Sequence, residues 1–244
     1  MSTRVIRQDK TGLCTLTLNR PEKINALDTA AFEELDAHLA ALEGATNQIG
    51  CVVLRAAGRG FCAGADLKAM GAAPLPPTYK PGVIERLGRL PQPVIAAVHG
   101  VCYTGGLELA LACDFIVADE TARFADTHGK WGLFGAWGMS QRLPRRIGIS
   151  AAKQMMMTGR MVTASEAADL GLVDLLAPTN GLDDVLAGLT ADVLANSWHT
   201  NFATKRMLRE TDGMSLTQGL AYEQSHYPGY ALDYQERMAR FTGK

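Results

Sequence analysis

Residues 93–114 read PVIAAVHGVCYTGGLELALACD, a short apolar run followed by a glycine pair and a second apolar run. The first run, from Pro93, has the length and the valine and isoleucine content of a strand that is buried on both faces. The second run follows the glycine pair directly and predicts an apolar helix. A buried strand joined to a helix by a tight turn is the repeating unit of an α/β fold.

Two turns of the chain carry glycines where backbone N–H groups can face a ligand. Gly105 and Gly106 begin the predicted apolar helix, whose first N–H groups lack partners and carry partial positive charge. A second glycine-bearing turn, GRGFCAGADL at 58–67, follows another apolar run. Two N–H groups that converge from such turns form an oxyanion hole. Either turn alone is better explained by tight packing, and neither matches a dinucleotide or phosphate-binding motif.

Glu108 is the unusual residue of the apolar helix. It lies three residues after Gly105, on roughly the same helix face, among leucines and alanines. A carboxylate in such surroundings costs free energy to bury unless it is paired or used in chemistry. We therefore favour a functional role for Glu108 over a structural one.

The remaining sequence alternates strand-like and helix-like segments up to about residue 180. Strands are predicted for CTLTLN from Cys14, CVVLRAA from Cys51 and DFIVAD from Asp114, and a helix for 29–43 with Phe32, Leu35, Leu39 and Leu42 on one face. This order predicts an α/β fold with mostly parallel strands. From residue 182 only helical periodicity is found, so we predict a core domain over 1–181 and a helical segment over 182–244. The Pro/Gly-rich stretch 71–82 is interpreted as a flap.

Composition excludes several classes of function. The 244 residues include 24 basic and 25 acidic ones, intermixed, which leaves no basic surface for nucleic acid. The five cysteines show no Cys-x-x-Cys spacing, which favours reduced thiols and argues against a metal site. The sequence has neither a signal-peptide core nor an apolar run long enough to span a membrane. We expect a cytoplasmic protein without a membrane partner.

Four motifs together resemble those of the crotonase family, the enoyl-CoA hydratase/isomerase superfamily. They are LNRPEKINAL (18–27), GFCAGADLKAM (60–70), PVIAAVHGVCYTGGLELALACD (93–114) and WGMSQRLPRRIG (137–148), supported by TGRMVTASEAADLGLVD (158–174). The resemblance covers almost the whole chain. It implies a spiral of ββα repeats, followed by a C-terminal helical segment that builds trimers, commonly paired into hexamers. It also implies an acyl-coenzyme A substrate of fatty acid metabolism and no separate cofactor.

The same resemblance implies which residues bind the substrate. The backbone N–H groups of Ala65 and Gly105 would hold the thioester oxygen as it becomes enolate-like. Residues of the first two motifs would flank coenzyme A, and these are Ile24, Ala26, Ala63, Leu67 and Lys68. The C-terminal FTGK is similar to the family's terminal Phe-x-x-Lys, so Phe241 and Lys244 are expected at coenzyme A, across a subunit boundary. A frayed tail is the alternative for these two residues.

The catalytic pair departs from the family pattern at one position. Hydratases of the family use two glutamates, and Glu108 matches the first while His128 stands at the second. Histidine transfers protons near neutral pH when a partner orients its other nitrogen, and Asp126 is one candidate partner. The alternative is that His128 only packs in the pocket wall. The following LFGAWG also lacks the family's proline, which affects the shape of the acyl pocket.

The predicted function is that of an enoyl-CoA hydratase, with Glu108 as base. Isomerisation, or another acyl-CoA reaction that needs one carboxylate, is the nearest alternative, because one oxyanion hole serves many reactions. A non-catalytic module that binds coenzyme A in an assembly is the alternative from another class. Glu108 in its apolar helix argues against that module.

Overall fold

A computed structural model describes residues 3–68 and 76–242. The main sheet has six strands in the order β1-β2-β3-β4-β6-β9, and a smaller sheet has the order β5-β7-β8. The strands are β1 Val5–Lys10, β2 Leu13–Leu18, β3 Cys51–Ala56, β4 Val94–Val98, β5 Val101–Tyr103, β6 Phe115–Asp119, β7 Arg123–Ala125, β8 Val162–Thr163 and β9 Leu175–Ala177. From β2 to β9 the main sheet is parallel, as predicted, and β1 pairs antiparallel with β2.

Helices cover both faces of the main sheet and make up the C-terminal part of the chain. They are α1 Thr29–Glu43, α2 Tyr79–Arg89, α3 Gly105–Leu111, α4 Met139–Ile147, α5 Ile149–Thr158, α6 Ala164–Asp169, α7 Leu182–Ala195, α8 Trp198–Glu210, α9 Leu216–Ser225 and α10 Tyr234–Thr242. Short 3-10 helices lie at Pro21–Lys23 and His128–Trp131. The predicted α/β fold followed by helices is confirmed, whereas the domain boundary between 181 and 182 stays a prediction.

Helix α1 forms where its sequence predicts it. The Asp28 side chain accepts a hydrogen bond from Ala31 N, which satisfies one free donor of the first turn. The four residues predicted on one face, Phe32, Leu35, Leu39 and Leu42, are all buried. The helix ends before Gly44, as expected.

Side chains of the central strands alternate between two hydrophobic cores, one on each face of the main sheet. In β3, Val52 and Leu54 enter the larger core, while Cys51 and Val53 contact a second core on the opposite face. Helix α7 covers that second face with Leu182 and Leu186, among others. Because successive strand residues point to opposite faces, a continuous apolar run is required here.

The interpretation of 71–82 as a flap is wrong for its last four residues, 79–82. Helix α2 begins at Tyr79 and buries Val83, Ile84 and Leu87, so the end of the stretch belongs to a packed helix. Residues 69–75 lie outside the described part of the chain. Pro81 is accommodated because the first turn of a helix does not use the proline nitrogen as a donor.

Successive turns of the chain contribute one strand to each sheet. Strand β4 of the main sheet leads to β5 of the small sheet and then to α3, and β6 leads in the same way to β7. One turn earlier, Cys62 forms an isolated parallel bridge with Cys102 of β5. Three chain segments therefore leave the small sheet at the same edge: the one after Cys62, the one after β5 and the one after β7.

Candidate active site

The small sheet aligns three segments that carry predicted site residues. Cys102 pairs with Cys62 on one side and with Phe124 on the other, in parallel. Ala65 and Gly105 each lie three residues after the paired cysteines, so they are at the same level of the sheet. His128 lies four residues after Phe124, one residue beyond that level. Residues distant in sequence thus meet at the carboxyl edge of this sheet, the usual place for sites in parallel sheets.

A cavity of about 290 Å³ opens at this edge. Its walls come from the three segments, from α3 and from the loop that precedes α4. The lining residues are Ala63, Ala65, Leu67, Thr104, Gly105, Glu108, Thr127, His128, Trp131, Leu133, Phe134, Ala136 and Trp137. Most of this wall is apolar, so a charge that develops inside is poorly solvated and depends on the few polar groups present.

Two backbone amides lining the cavity have no partner in the part of the chain that the structure describes. Ala65 N and Gly105 N donate to no protein acceptor, although the neighbouring amides of Asp66 and Thr104 do. A Cβ added at Gly64 would lie 3.3 Å from Gly105 N, so the two amide-bearing loops are in contact. Two backbone donors that are free within the described ranges therefore lie on adjoining loops beside the cavity.

Gly105 follows a residue with an unusual backbone conformation. Thr104, just before it, has φ 47° and ψ −115°, a strained combination for a β-branched residue. Its N–H donates to Ala125 O and its hydroxyl to Ala63 O, which hold this conformation. Strain of this kind persists where surrounding contacts maintain it, and it is concentrated at functional sites.

Glu108 is buried, with 1% of its surface exposed, and its two carboxylate oxygens differ in their contacts. Oε1 accepts hydrogen bonds from Trp137 N at 2.7 Å and Met139 N at 3.1 Å. Oε2 is buried and has no hydrogen-bond partner among the residues that the structure describes. Burial raises the pKa of Glu108, against the opposing effect of the two amides. The carboxylate is therefore fixed by one oxygen and has the other free for a ligand.

His128 lies between two carboxylates. Its Nδ1 is 2.6 Å from Asp126 Oδ1, and its Nε2 is 3.8 Å from Glu108 Oε2. Burial acts to lower the pKa of His128, but the hydrogen bond to Asp126 and the charges of both carboxylates outweigh it, so this pKa is raised. The imidazole thus presents Nε2 towards Glu108.

The entrance of the cavity is aromatic and exposed. Trp131 and Phe134 have 65% and 73% of their surfaces accessible, and Leu133 lies between them in sequence. Trp137 is more deeply placed and packs edge-on against Phe32, with ring centroids 5.0 Å apart. Apolar side chains that line an entrance are suited to an apolar ligand segment.

The predicted site residues divide into those that line the cavity and those that do not. The lining set is Ala63, Ala65, Leu67, Gly105, Glu108 and His128. Ile24 and Ala26 are outside this lining, although Ile24 O accepts a hydrogen bond from Ala63 N of the lining. Lys68 is exposed beside Leu67, and Phe241 is 86% exposed on α10, outside this lining. Lys244 lies outside the described residues.

Sequence reasoning did not identify the aromatic wall formed by Trp131, Phe134 and Trp137. Its signal was the unusual density of tryptophan, phenylalanine and glycine in 131–138, which is atypical of an exposed loop. Asp126 was only a candidate partner, because spacing in sequence does not establish side-chain direction. It is 3% exposed and contacts the His128 ring.

A cluster of metal-binding side chains or a helix able to cross a membrane would indicate a different function. Within residues 3–68 and 76–242, no group of three or more His, Cys, Asp or Glu side chains is arranged to hold a metal ion. No helix in the same ranges has the length and apolarity to cross a membrane. The five cysteines are free and buried, as expected, and burial raises the pKa of Cys62 to about 12.

Comparison with known proteins gives matches along nearly the whole chain. A family model described as enoyl-CoA hydratase/isomerase matches residues 8–244. A probable enoyl-CoA hydratase of Rhizobium meliloti is 35% identical over 243 residues, which cover 97% of this chain and 93% of that protein. The 2,3-dehydroadipyl-CoA hydratase of Escherichia coli is 34% identical over 253 residues, covering 98% of each.

Solved structures give the same result. The crystal structure of an enoyl-CoA hydratase from Mycobacterium tuberculosis H37Rv matches with a TM-score of 0.92 and 31% identity, and the match covers 99% of this chain and 96% of that one. An enoyl-CoA hydratase from Mycobacterium smegmatis matches with a TM-score of 0.91, also at 31% identity, over 99% of this chain and 97% of that one.

Proposed function

The chain belongs to the enoyl-CoA hydratase/isomerase family, and we propose that it adds water across the C2–C3 double bond of a 2-enoyl-CoA thioester. One observation carries this proposal. Glu108 Oε2 and His128 Nε2 lie 3.8 Å apart in the cavity that also contains the unpaired amides of Ala65 and Gly105. An acid and a base beside an oxyanion-binding pair are the groups that this addition requires.

The first step is polarisation of the thioester. Its carbonyl oxygen accepts hydrogen bonds from Ala65 N and Gly105 N, which withdraw electrons from the conjugated double bond. C3 becomes electrophilic, and attack there produces an enolate whose negative charge lies on the same oxygen. Because these amides have no partner to leave within 3–68 and 76–242, they stabilise the enolate without reorganisation.

The second step is the addition itself. Glu108 Oε2 takes one proton from water as the water oxygen bonds to C3. His128, as imidazolium, then gives its Nε2 proton to C2, which restores the thioester carbonyl. Glu108 ends protonated and His128 neutral, so the catalyst is reset when the proton moves from Glu108 to His128. A shift of about 1 Å brings these two atoms to hydrogen-bond distance.

The substrate itself supplies the rest of the chemistry. Coenzyme A is part of the thioester, so the proposed reaction needs no separate cofactor. The aromatic entrance of Trp131, Leu133 and Phe134 supports binding of the acyl chain there. Family membership identifies an enzyme, which argues against the alternative of a non-catalytic module that binds coenzyme A.

We also propose that the chain assembles into trimers or pairs of trimers in a reducing, cytoplasmic compartment. Apolar side chains on the outer helices and in the turn before α10 are strongly exposed in the single chain, and they include Leu208, Leu216, Leu232 and Phe241. Surfaces of this kind are normally covered by another subunit. Five free cysteines are consistent with the proposed compartment.

A substrate panel tests the proposed reaction. The purified protein is offered short, long, branched and aromatic 2-enoyl-CoA thioesters, together with 3-enoyl-CoA thioesters, and both hydration and double-bond migration are followed. We expect hydration of at least one 2-enoyl-CoA that Glu108→Gln abolishes. Migration without hydration, equally sensitive to Glu108→Gln, would instead establish the one-carboxylate isomerisation.

A further inference from the structure

The carboxylate of Asp126 forms the closest polar contact of the His128 ring. Its Oδ1 lies 2.6 Å from Nδ1 and also accepts a hydrogen bond from the His128 backbone N–H at 3.1 Å. Asp126 immediately follows strand β7, and only 3% of its surface is exposed. The carboxylate is thus held by its place at the sheet edge, and one of its oxygens binds both the backbone and the ring.

The opposite nitrogen of the ring faces the proposed chemistry. His128 lines the cavity, and its Nε2 points towards the unpartnered Oε2 of Glu108. Because a carboxylate accepts and never donates when ionised, Nδ1 beside Asp126 must carry the proton. In the neutral ring Nε2 then bears the lone pair, and in the charged ring Nε2 bears the proton that can be given away.

The backbone leaves space for this ring orientation. A Cβ added at Gly135 would lie 3.1 Å from both Cε1 and Nδ1 of His128, which is tighter than an ordinary contact. Glycine at this position lets the loop before α4 pack against the ring edge. The His128 ring is therefore restricted by its hydrogen bond to Asp126 and by the nearby backbone of Gly135.

We propose that Asp126 is a positioning residue for the hydration reaction, because it fixes His128 in the tautomer and orientation that place Nε2 at the α-carbon of the substrate. This inference rests on the proposed function, in which His128 exchanges the α-proton. Among the described residues that line the cavity, Asp126 touches the His128 ring without being part of the lining itself. A carboxylate that accepts a hydrogen bond from one nitrogen of a histidine ring in this way orients the other nitrogen for proton transfer.

The charged groups around His128 give this role a signature in pH dependence. Glu108 faces the ring from α3 and Asp126 from its own segment, while Lys153 of α5 lines an adjoining cavity of about 360 Å³ that His128 also borders. Of these, Asp126 makes the direct hydrogen bond to the ring. Removal of its charge lowers the pKa of His128, so the imidazolium is lost at lower pH in Asp126→Asn than in the parent.

The decisive variant is Asp126→Asn, compared with the parent over a range of pH. The amide is isosteric but uncharged, so it no longer stabilises the imidazolium that forms when Nε2 accepts the α-proton during dehydration. We expect kcat for dehydration of a 3-hydroxyacyl-CoA to fall by about 10²-fold or more, with the KM for the thioester nearly unchanged. The basic limb of the hydration profile should move to lower pH.

Asp119→Asn is the matched control. Asp119 is also a buried aspartate, but its oxygen binds Thr121 in a turn after β6, away from the cavity. This variant should keep the parent kcat and pH profile. A loss of activity in Asp126→Asn with an unmoved pH profile, or an equal loss in Asp119→Asn, would overturn the positioning role and leave a general stability effect.

A spectroscopic measurement on the unaltered protein tests the inference without any variant. The ¹⁵N shifts of the His128 ring, assigned by comparison with His128→Gln, distinguish the two neutral tautomers above the pKa of the ring. We expect the proton on Nδ1. A proton on Nε2 would overturn the proposal, whereas a chain that has the Nδ1–H tautomer but hydrates no enoyl-CoA would place the failure in the proposed function instead.

Discussion

The backbone amide of Trp137 donates a 2.7 Å hydrogen bond to Glu108 Oε1, while the Trp137 ring packs beneath Gly105. One residue of the loop before α4 thus contacts both the proposed base and the backbone of the proposed oxyanion hole. The two parts of the site are mechanically linked through it. A change in this loop is therefore expected to alter proton transfer and thioester binding together.

Replacement of Glu108 by glutamine tests the proposed base. The amide keeps the shape of the side chain but cannot take a proton from water, so kcat for hydration should fall by about 10²–10⁴-fold. Titration calorimetry with a saturated acyl-CoA should show nearly unchanged affinity. Glu120→Gln, an exposed change whose carboxylate binds Thr179, is the control and should leave both quantities at the parent level.

The pH profile of hydration should be bell-shaped. The forward reaction needs Glu108 ionised and His128 protonated. Burial raises the pKa of Glu108, so the acidic limb lies above the usual range of a glutamate. Despite burial, the bond to Asp126 and the nearby charges raise the pKa of His128, so activity is lost on the alkaline side only above the usual range of a histidine. Both limbs are measured by determining kcat/KM from initial rates at a series of pH values. A profile without an alkaline limb would contradict the role of His128.

Substitution of Gly105 by alanine should disturb Trp137 before it obstructs the thioester. The added Cβ would lie 2.3 Å from an atom of the Trp137 ring, closer than real contacts allow. We expect a loss of about 1–3 kcal/mol of stability from overpacking, with a fall in kcat, measured by thermal unfolding and rate assays.

Two comparisons isolate the clash in Gly105→Ala. Trp137→Ala in the same chain removes the ring and should recover stability relative to the sum of the single variants. At Gly44 a Cβ would meet nothing within 4 Å, so Gly44→Ala should be nearly neutral. Purely additive losses in the double variant would refute contact with Trp137 as the cause.

His128→Ala and His128→Glu test whether the second acid group can be exchanged. Alanine should lower hydration by about 10²–10⁴-fold, and parental activity in this variant would make the histidine a pocket wall. Glutamate should exceed alanine in hydration because it restores a proton donor. It would, however, place a third carboxylate beside buried Glu108 and Asp126.

Crowding of carboxylates gives His128→Glu a stability signature. Mutual repulsion raises their pKa values above those of the unfolded chain, so stability is present at low pH and is lost as pH rises through the raised values. The melting temperature of His128→Glu should therefore fall as pH rises above the usual range of carboxyl groups, more steeply than that of His128→Glu combined with Asp126→Asn. Parallel melting curves for the two variants would show that these carboxylates do not interact.

Assembly is tested by light scattering coupled to size exclusion. The exposed apolar side chains of α8–α10 support the proposed assembly, which the family resemblance implies to be a trimer or a hexamer. Leu216→Glu should weaken the assembly, whereas Glu22→Gln, an exposed change in the first 3-10 helix, should leave it intact. A monomer at micromolar concentration would refute the proposed assembly.

The amino-acid sequence by itself determined the elements that have strong local patterns. Helix α1 has a capping aspartate, a periodic apolar face and a terminal glycine, and the buried strands β3, β4 and β6 are continuous apolar runs. Motif resemblance to a family gave the fold and identified Glu108, His128, Ala65 and Gly105 as candidates. These features depend on residue identity and spacing, which a single sequence contains in full.

Only the tertiary structure decided the short strands and the geometry of the site. Strands β5 and β7 have three residues each, too few for a period of two, and they exist because they pair with each other. The same pairing directs Asp126 towards the His128 ring, a direction that a spacing of two residues leaves open. Hydrogen bonds from Trp137 and Met139 likewise select which oxygen of Glu108 stays free. Such contacts join residues far apart along the chain, and their distances and angles arise only when the sheets and loops pack together.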